Sequence, residues 1–379
     1  MLIPYGNCLQ TTLPKGFTFY SIELSPDGKL YAVSADHFVQ IWYAGSELVL
    51  LCQHKIQRGD LSSSKQNRRV QIVWKYDSSQ IAAICGEGLV TLFNVSYEEC
   101  VFSSDHSVTN TICLPSCSLG INRVCNLSEY GAPLCACPLE MGFLIGTDQG
   151  NLVEVEWSGI SRGYPIVAPI MIYLPDLSKD LPSLPEILSV DYNTTLKVIS
   201  VVLNSGCCVL FHIVYNNRIN FTGGFVVNAE HCTCARMGSF SHYLAIGHSS
   251  GNITVHRLQW VNDSLMPCPE LTFDIHRYDD LYPPPTDCYQ TVITSLAWNW
   301  ENDHLAVGYG DRCVAVWNIQ ENPIYWYSWK RSLPSIEANG CCFSAMGDSL
   351  LFTGGASGEA DYTLLDQHFL LTRNSLVCE

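Results

Sequence analysis

TSLAWNWENDHLAVGYGDRCVAVW, residues 294–317, is the stretch whose reading decides the fold. A short apolar strand runs into a polar turn, a second strand of small and β-branched residues follows, and a tight turn with Gly and Asp leads to a third strand ending on an aromatic. β-branched and aromatic residues suit a pleated backbone, while Gly, Asn and Asp supply the turn conformations between strands. Near the start of the chain the same grammar returns in residues 22–42, IELSPDGKLYAVSADHFVQIW. There Ser25-Pro26-Asp27-Gly28 is turn chemistry, since Pro sets φ and Gly tolerates positive φ.

Working outward, the pattern recurs more weakly in residues 70–93, 135–157, 187–211, 232–256 and 339–362. The strand-ending positions are Trp42, Phe93, Trp157, Phe211, His256, Trp317 and Tyr362. Their spacing of roughly 45–64 residues suits a four-stranded unit of about 40–45 residues plus loop insertions. Helical solenoids are excluded by the period-2 alternation and the Gly and Asp turns. One such unit cannot bury both of its faces alone, and radial closure against neighbours covers them all. The expected fold is therefore all-β, a seven-bladed WD-repeat β-propeller. It forms a single domain over residues 1–379, with repeats near 19–43, 70–95, 135–157, 187–213, 232–258, 291–319 and 339–365. Residues 102–131, 158–186 and 261–288 lengthen the connections, and part of that length supplies outer strands. For ring closure the candidates are the segments around Leu2-Ile3 or Phe17–Phe19, set against Leu364-Leu365 and Phe369–Leu371.

Composition narrows the function. The 379 residues are 47% hydrophobic and only 15% charged, with 20 basic against 36 acidic side chains and a formal net charge of -16. Nucleic-acid binding needs clustered Lys and Arg to displace counterions, and the one basic knot is Lys65, Arg68 and Arg69 in a polar loop-like stretch. The expectation is no nucleic-acid partner. The start, MLIPYGNCLQTTLPKG, has no basic region leading into an apolar one, and no run of about eighteen apolar residues suggests a membrane span. Several of the 19 cysteines sit in strand-like runs beside Val, Leu and Ala, among them Cys85, Cys207, Cys208, Cys313, Cys341 and Cys342. A thiol there behaves as a small hydrophobe, which fits a reduced cytosolic compartment. The sequons at Asn94, Asn126, Asn193, Asn220, Asn252 and Asn262 fall within or beside strands and are read as chance.

The chemical motifs have plainer readings. Gly247-His248-Ser249-Ser250-Gly251 matches the G-x-S-x-G nucleophile elbow, but that motif needs a helix after it, and NITVH reads as a strand. A hydrolase built on Ser249 is accordingly set below a hairpin turn equivalent to GTDQG at 146–150. His231, Cys232 and Cys234, with Cys135 and Cys137, resemble metal ligands but lack the C-x₂₋₄-C pairing of structural zinc sites. Residues i and i+2 on a strand share a face, so each C-x-C pair is expected to face one packing layer. His54 and His37 have no partner pattern. Asp36, Asp148 and Asp311 are expected to bond their own backbone and fix turns. Trp74, Trp298 and Trp300 are expected between units, each burying on the order of 150–250 Å². No catalytic, cofactor-binding or metal-binding residue is nominated, and no cofactor is expected.

The repeats taken together resemble one family. Ile41-Trp42-Tyr43 with LVLLCQHK, Ile72-Val73-Trp74-Lys75 with Ile81-Ala82-Ala83, and Val90-Thr91-Leu92-Phe93 carry the first part. GFLIGTDQGNLVEVEWSGI at 142–160, with its Trp157-x-Gly159, AIGHSSGNITVHRL and TSLAWNWENDHLAVGYGDRCVAVWNI carry the rest. These are similar to the N-terminal propeller of the Ric1-type large subunit of the Golgi Rab guanine-nucleotide exchange factor complex, over roughly residues 19–319. The resemblance implies a non-catalytic, protein-binding subunit that works with a second exchange-factor subunit on a Golgi Rab GTPase, in the cytoplasm and peripherally at the Golgi membrane. It also implies a longer chain with a helical C-terminal region. The other reading of the residues is a generic WD-repeat scaffold or adaptor in another cytosolic complex.

Overall fold

The structure is a computed structural model that describes residues 11–12, 19–35, 38–44, 48–56, 70–99, 115–166, 185–214, 218–226, 232–238, 242–262, 264–268, 273–275, 292–299, 302–309, 313–319, 326–330, 338–343, 349–354 and 359–364. Its described strands form seven antiparallel sheets, and among the described residues the helical content is one short 3-10 turn at Ser128–Tyr130.

Each sheet is an up-and-down meander read inward to outward along the chain. The first is Phe19–Leu24, Leu30–Ala35, Phe38–Ala44 and Leu48–Lys55. The second is Val70–Trp74, Gln80–Cys85, Leu89–Glu98 and Ser116–Asn126. The third is Pro133–Pro138, Gly142–Thr147, Asn151–Glu156 and Ser161–Pro165. The fourth is Ile187–Asn193, Val198–Leu203, Cys207–Val214 and Arg218–Val226. The fifth is Cys232–Met237, Tyr243–His248 and Ile253–Val261, whose far edge pairs with both Ser264–Pro267 and Phe273–Ile275. The sixth is Ile293–Trp298, His304–Tyr309, Cys313–Asn318 and Trp326–Lys330. The seventh is Ala338–Phe343, Ser349–Gly354 and Glu359–Leu364, with Thr11–Thr12 as its outermost strand.

Successive inner strands touch one another, and Ala338–Phe343 touches Phe19–Leu24, so the series closes on itself. That is the arrangement of a β-propeller. Closure comes from neither segment expected: Thr12 and Thr11 pair with Glu359 and Ala360. Phe19 instead begins the first inner strand, opposite Ala35, while Leu2-Ile3 and Phe369–Leu371 lie outside the described residues. A two-residue strand of threonines carries no apolar signal in the sequence.

The core sits between sheets. One apolar cluster joins the second and third sheets through Ile84, Leu92, Phe143, Val153 and Val155. Others join the third to the fourth, the fourth to the fifth, the fifth to the sixth, and the first to the second. Second strands therefore lose all polar alternation: Val198–Leu203 is buried throughout and Gln80–Cys85 from its second residue on. With a neighbour on both faces, every side chain leaves water, and each Val, Leu or Ile so buried is worth about 1.5–3 kcal/mol.

Register refines the repeat. Trp42, Phe93, Phe211, His256 and Trp317 all stand on third strands opposite the second residue of the strand before: Tyr31, Ile81, Ile199, Leu244 and Leu305. In the third sheet that place belongs to Val155, opposite Phe143. Trp157 lies two residues on, its ring tilted against Phe143 at 5.0 Å. In the seventh, Tyr362 is one residue off, opposite Leu351.

Turns follow local chemistry. Gly28 has φ 74° and its N–H donates to Ser25 O at 2.8 Å, while Asp27 Oδ1 accepts from Lys29 N. Asp148 behaves otherwise than expected. Its Oδ1 accepts from Ala132 N at 2.7 Å, so it anchors the connection entering the sheet instead of its own turn. Asp36 and Asp311 are outside the described residues.

Candidate functional site

Inner strands carry a repeated device. On four inner strands a donor one or two residues after the strand's start reaches a carbonyl of the next inner strand: Gln71 Nε2 to Leu134 O, Cys135 Sγ to Ile187 O, Ser189 Oγ to Ala235 O, and Cys234 Sγ to Ile293 O. At the other end two indoles reach back to the preceding inner strand: Trp74 Nε1 donates to Glu23 O at 3.1 Å and Trp298 Nε1 to Arg236 O at 3.0 Å. The expected placement of Trp74 and Trp298 between units is thus seen, with the ring N–H satisfied. Trp300 lies outside the described residues.

Between these levels, the charged residues meet. Glu23, Asp191 and Arg236 stand at one height, opposite Ala32, Ser200 and Ala245 of their second strands. Val73, Cys137 and Ala297 hold the same place on the second, third and sixth inner strands. Arg236 Nη1 meets Asp191 Oδ1 at 3.2 Å and Nη2 meets Glu23 Oε1 at 3.5 Å. The fourth and fifth sheets are neighbours, but the first and fifth are not, so the guanidinium crosses the axis of the ring. Asp191 also accepts from Met237 N at 3.1 Å and Ser189 Oγ at 3.3 Å. Desolvation pushes the Asp191 carboxyl up, with Arg236 pulling it back, and Glu23 is likewise raised by desolvation against the opposing pull of Arg236. This arrangement ties three sheets at the axis and carries one cation against two carboxylates. Nothing in the sequence flagged it, because residues 23, 191 and 236 share no local pattern.

Sequence-nominated residues divide. Cys135 and Cys137 share the cluster between the third and fourth sheets, as the C-x-C reading holds. Cys232 and Cys234 do not: a bulge between them sends Cys232 into the cluster between the fourth and fifth sheets and Cys234 into that between the fifth and sixth. An extra residue on one strand reverses the alternation, which a spacing rule cannot see. His231 and His37 are outside the described residues, and His54 sets its ring edge-on to Phe93 at 5.0 Å. Among the described residues no group of three His, Cys, Asp or Glu is placed to hold a metal ion.

Gly247–Gly251 is the hairpin turn between two strands of the fifth sheet, with Gly251 at φ 86° and its N–H on His248 O. Ser249 and Ser250 are exposed, while His248 Nε2 lies 2.9 Å from Thr254 Oγ1. Asn193 is fully buried, its Nδ2 donating to Gly238 O.

Two exposed apolar surfaces stand out. The hairpin of the fifth sheet bears Trp260, Val261 and Met266, each 40–45% exposed, with Trp260 edge-on to His212. Around the second and third sheets, Ile121 and Val124 on an outer strand adjoin the turn carrying Ile160, to which Arg123 Nη1 is tied through Ser158 O at 2.8 Å. Met141, 69% exposed, lies beside that turn through Trp157 N on its carbonyl. No helix among the described residues is long and apolar enough to cross a membrane.

Comparison with known proteins agrees with the residue-level resemblance. No family model matches the chain. Over 270 residues it is 23% identical to a guanine nucleotide exchange factor subunit of Caenorhabditis elegans, covering 65% of this chain and 18% of that protein. The chain thus spans under a fifth of that relative's length. Among solved structures it matches the β-propeller domain of Cps50 (Swd1) from Myceliophteria thermophila, with a TM-score of 0.66 at 11% identity over 94% of this chain and 98% of that one. The chain has a WD-repeat β-propeller fold and is similar to an exchange-factor subunit.

Proposed function

We propose that the chain is a seven-bladed propeller serving as a non-catalytic, protein-binding subunit of a Rab guanine-nucleotide exchange factor complex in Golgi and retrograde vesicle traffic. The observation that carries the reading is its similarity over 270 residues to an exchange-factor subunit. Exchange of this kind needs no covalent chemistry. A complex that binds the nucleotide-free GTPase more tightly than the loaded form expels nucleotide by linkage, and a rigid ring serves by presenting surfaces. The hairpin with Trp260 and the surface with Met141 and Ile160 are the contact candidates, since exposed apolar groups of this kind mark interaction sites. The partners are a second exchange-factor subunit and a Golgi Rab, met at the cytoplasmic side of the membrane.

Affinity capture from cells with the full chain tests this. Recovery of the second subunit, or of a Golgi Rab in its nucleotide-free form, is expected. Recovery of another cytosolic assembly and neither of these overturns it in favour of a generic WD-repeat adaptor.

A further inference from the structure

The outer edges of the first two sheets bring two thiols together. Cys52 lies on Leu48–Lys55, opposite Ile41, and Cys117 on Ser116–Asn126, opposite Tyr97. These outer strands touch, and both cysteines flank the apolar cluster of the first and second sheets, beside Leu51 and Leu119. Both are half-buried and unoxidised. Their sulfurs are hydrogen-bonded to each other, and the backbone of Ile41 also bonds Cys52. The hydrogen bond from Cys117 pulls the Cys52 thiol below its ordinary value, while the same bond and burial push Cys117 well up. Burial drives Cys125, Cys135, Cys137, Cys207 and Cys208 upward. Thiolate character and access decide which cysteine reacts. This pair combines partial access with two thiols on touching outer strands, Cys52 being the one drawn toward the thiolate.

We propose that Cys52 and Cys117 form a peroxide-reactive pair that closes to a reversible disulfide joining the outer strands of the first and second sheets. The Cys52 thiolate attacks one oxygen of hydrogen peroxide. An S–O bond forms, the O–O bond breaks, and hydroxide leaves, giving a sulfenic acid. The Cys117 sulfur then attacks the Cys52 sulfur. The S–S bond forms, the S–O bond breaks, and the departing oxygen takes the Cys117 proton to leave as water. Two thiols lose two electrons and the peroxide is reduced to two waters; a dithiol reductant reverses the step by exchange. The bond would close a loop containing the first three strands of the second sheet, which constrains the unfolded chain.

The test uses the reduced full chain treated with equimolar hydrogen peroxide, blocked with an alkylating agent, digested without reduction and mapped by mass spectrometry. A Cys52–Cys117 crosslinked peptide that dithiothreitol removes is expected, together with a raised unfolding midpoint of the oxidised protein. In Cys117→Ser, a cyclic diketone should trap the sulfenic acid at Cys52. In the untreated wild-type protein Cys52 should alkylate at least about tenfold faster than Cys125. Both thiols alkylated after peroxide, crosslinks spread over other cysteines, or diketone capture at Cys117 in place of Cys52 overturns the proposal. The wild-type crosslink decides the matter even if a variant fails to fold.

Discussion

Two kinds of junction alternate around the middle of the ring. Between the third and fourth sheets Gly146 leaves a space that the Ile187 side chain and Cys135 Sγ fill. Between the fifth and sixth, Gly247 leaves the same space for Ile293 and Cys234. The junction between them, fourth to fifth, is polar along its inner strands, beside an apolar cluster farther out. Ser189, Asp191 and Asn193 bond Ala235 O, Met237 N and Gly238 O along the facing inner strand. One backbone geometry thus accepts a sulfur–glycine–isoleucine lock or a ladder of side-chain hydrogen bonds. Each of these junctions must satisfy the neighbour's inner backbone and fill the gap beside it, and the residue types that achieve this are interchangeable.

Mutations can break this comparison. The largest effect is expected at the polar junction. Arg236→Met leaves Asp191, 8% exposed, without its cation and should cost about 2–3 kcal/mol in urea unfolding, because an uncompensated buried charge is expensive. Adding Asp191→Asn should restore part of that loss; equal loss in single and double variants would show that the ion pair is not the cause. Next comes Gly146→Ala. The new Cβ would fall within 2.7 Å of Cys135 Sγ and closer still to Ile187, so about 2 kcal/mol of overpacking is expected. Ile187→Val in the same chain should relieve it non-additively. Gly247→Ala should cost less, about 1–2 kcal/mol, since its tightest contact, Ile293 Cγ2, stands at 2.7 Å. A larger effect at Gly247 than at Gly146 would show that the two sulfur–glycine–isoleucine locks are not equivalent.

The polar junction should also show in pH dependence. Asp191 and Glu23 have folded values raised above their ordinary 3.8 and 4.5, so the folded chain holds those protons more tightly than the unfolded chain. Their contribution to stability is therefore present at low pH and is lost as pH rises through the raised values. Urea midpoints taken upward from pH 4 should fall less steeply in Asp191→Asn than in the wild-type protein. The smallest effect lies at the turns of the first and second sheets. Ser78, at φ 59°, occupies the turn place that Gly28 occupies in the first sheet. Ser78→Gly should stabilise by about 0.5–1 kcal/mol by removing left-handed strain, and a destabilised variant would show that its hydroxyl, which accepts from Asp27 N, matters more.

Which features were legible follows from how local they are. The columns of Trp42, Phe93, Phe211 and Trp317 could be read because each strand–turn–strand unit is encoded within about two dozen residues, by propensity and turn chemistry. Trp157 misled by two positions: a bulky aromatic after a strand looks like one that ends it, and the register with Phe143 is a pairing property. Cys232 and Cys234 misled through the bulge, and Asp148 through a partner sixteen residues upstream.

The sequence alone determined that the chain forms short antiparallel strands joined by tight turns, since period, β-branching and Gly-Asp punctuation act on neighbouring residues. Tertiary structure decided the rest. The closing of the seventh sheet by Thr11–Thr12, the alternation of junction chemistry, the Glu23–Arg236–Asp191 contact across the axis and the meeting of Cys52 with Cys117 all join distant positions. Such contacts exist only once the sheets stand side by side around the ring, because that assembly brings residues of unrelated sequence position together.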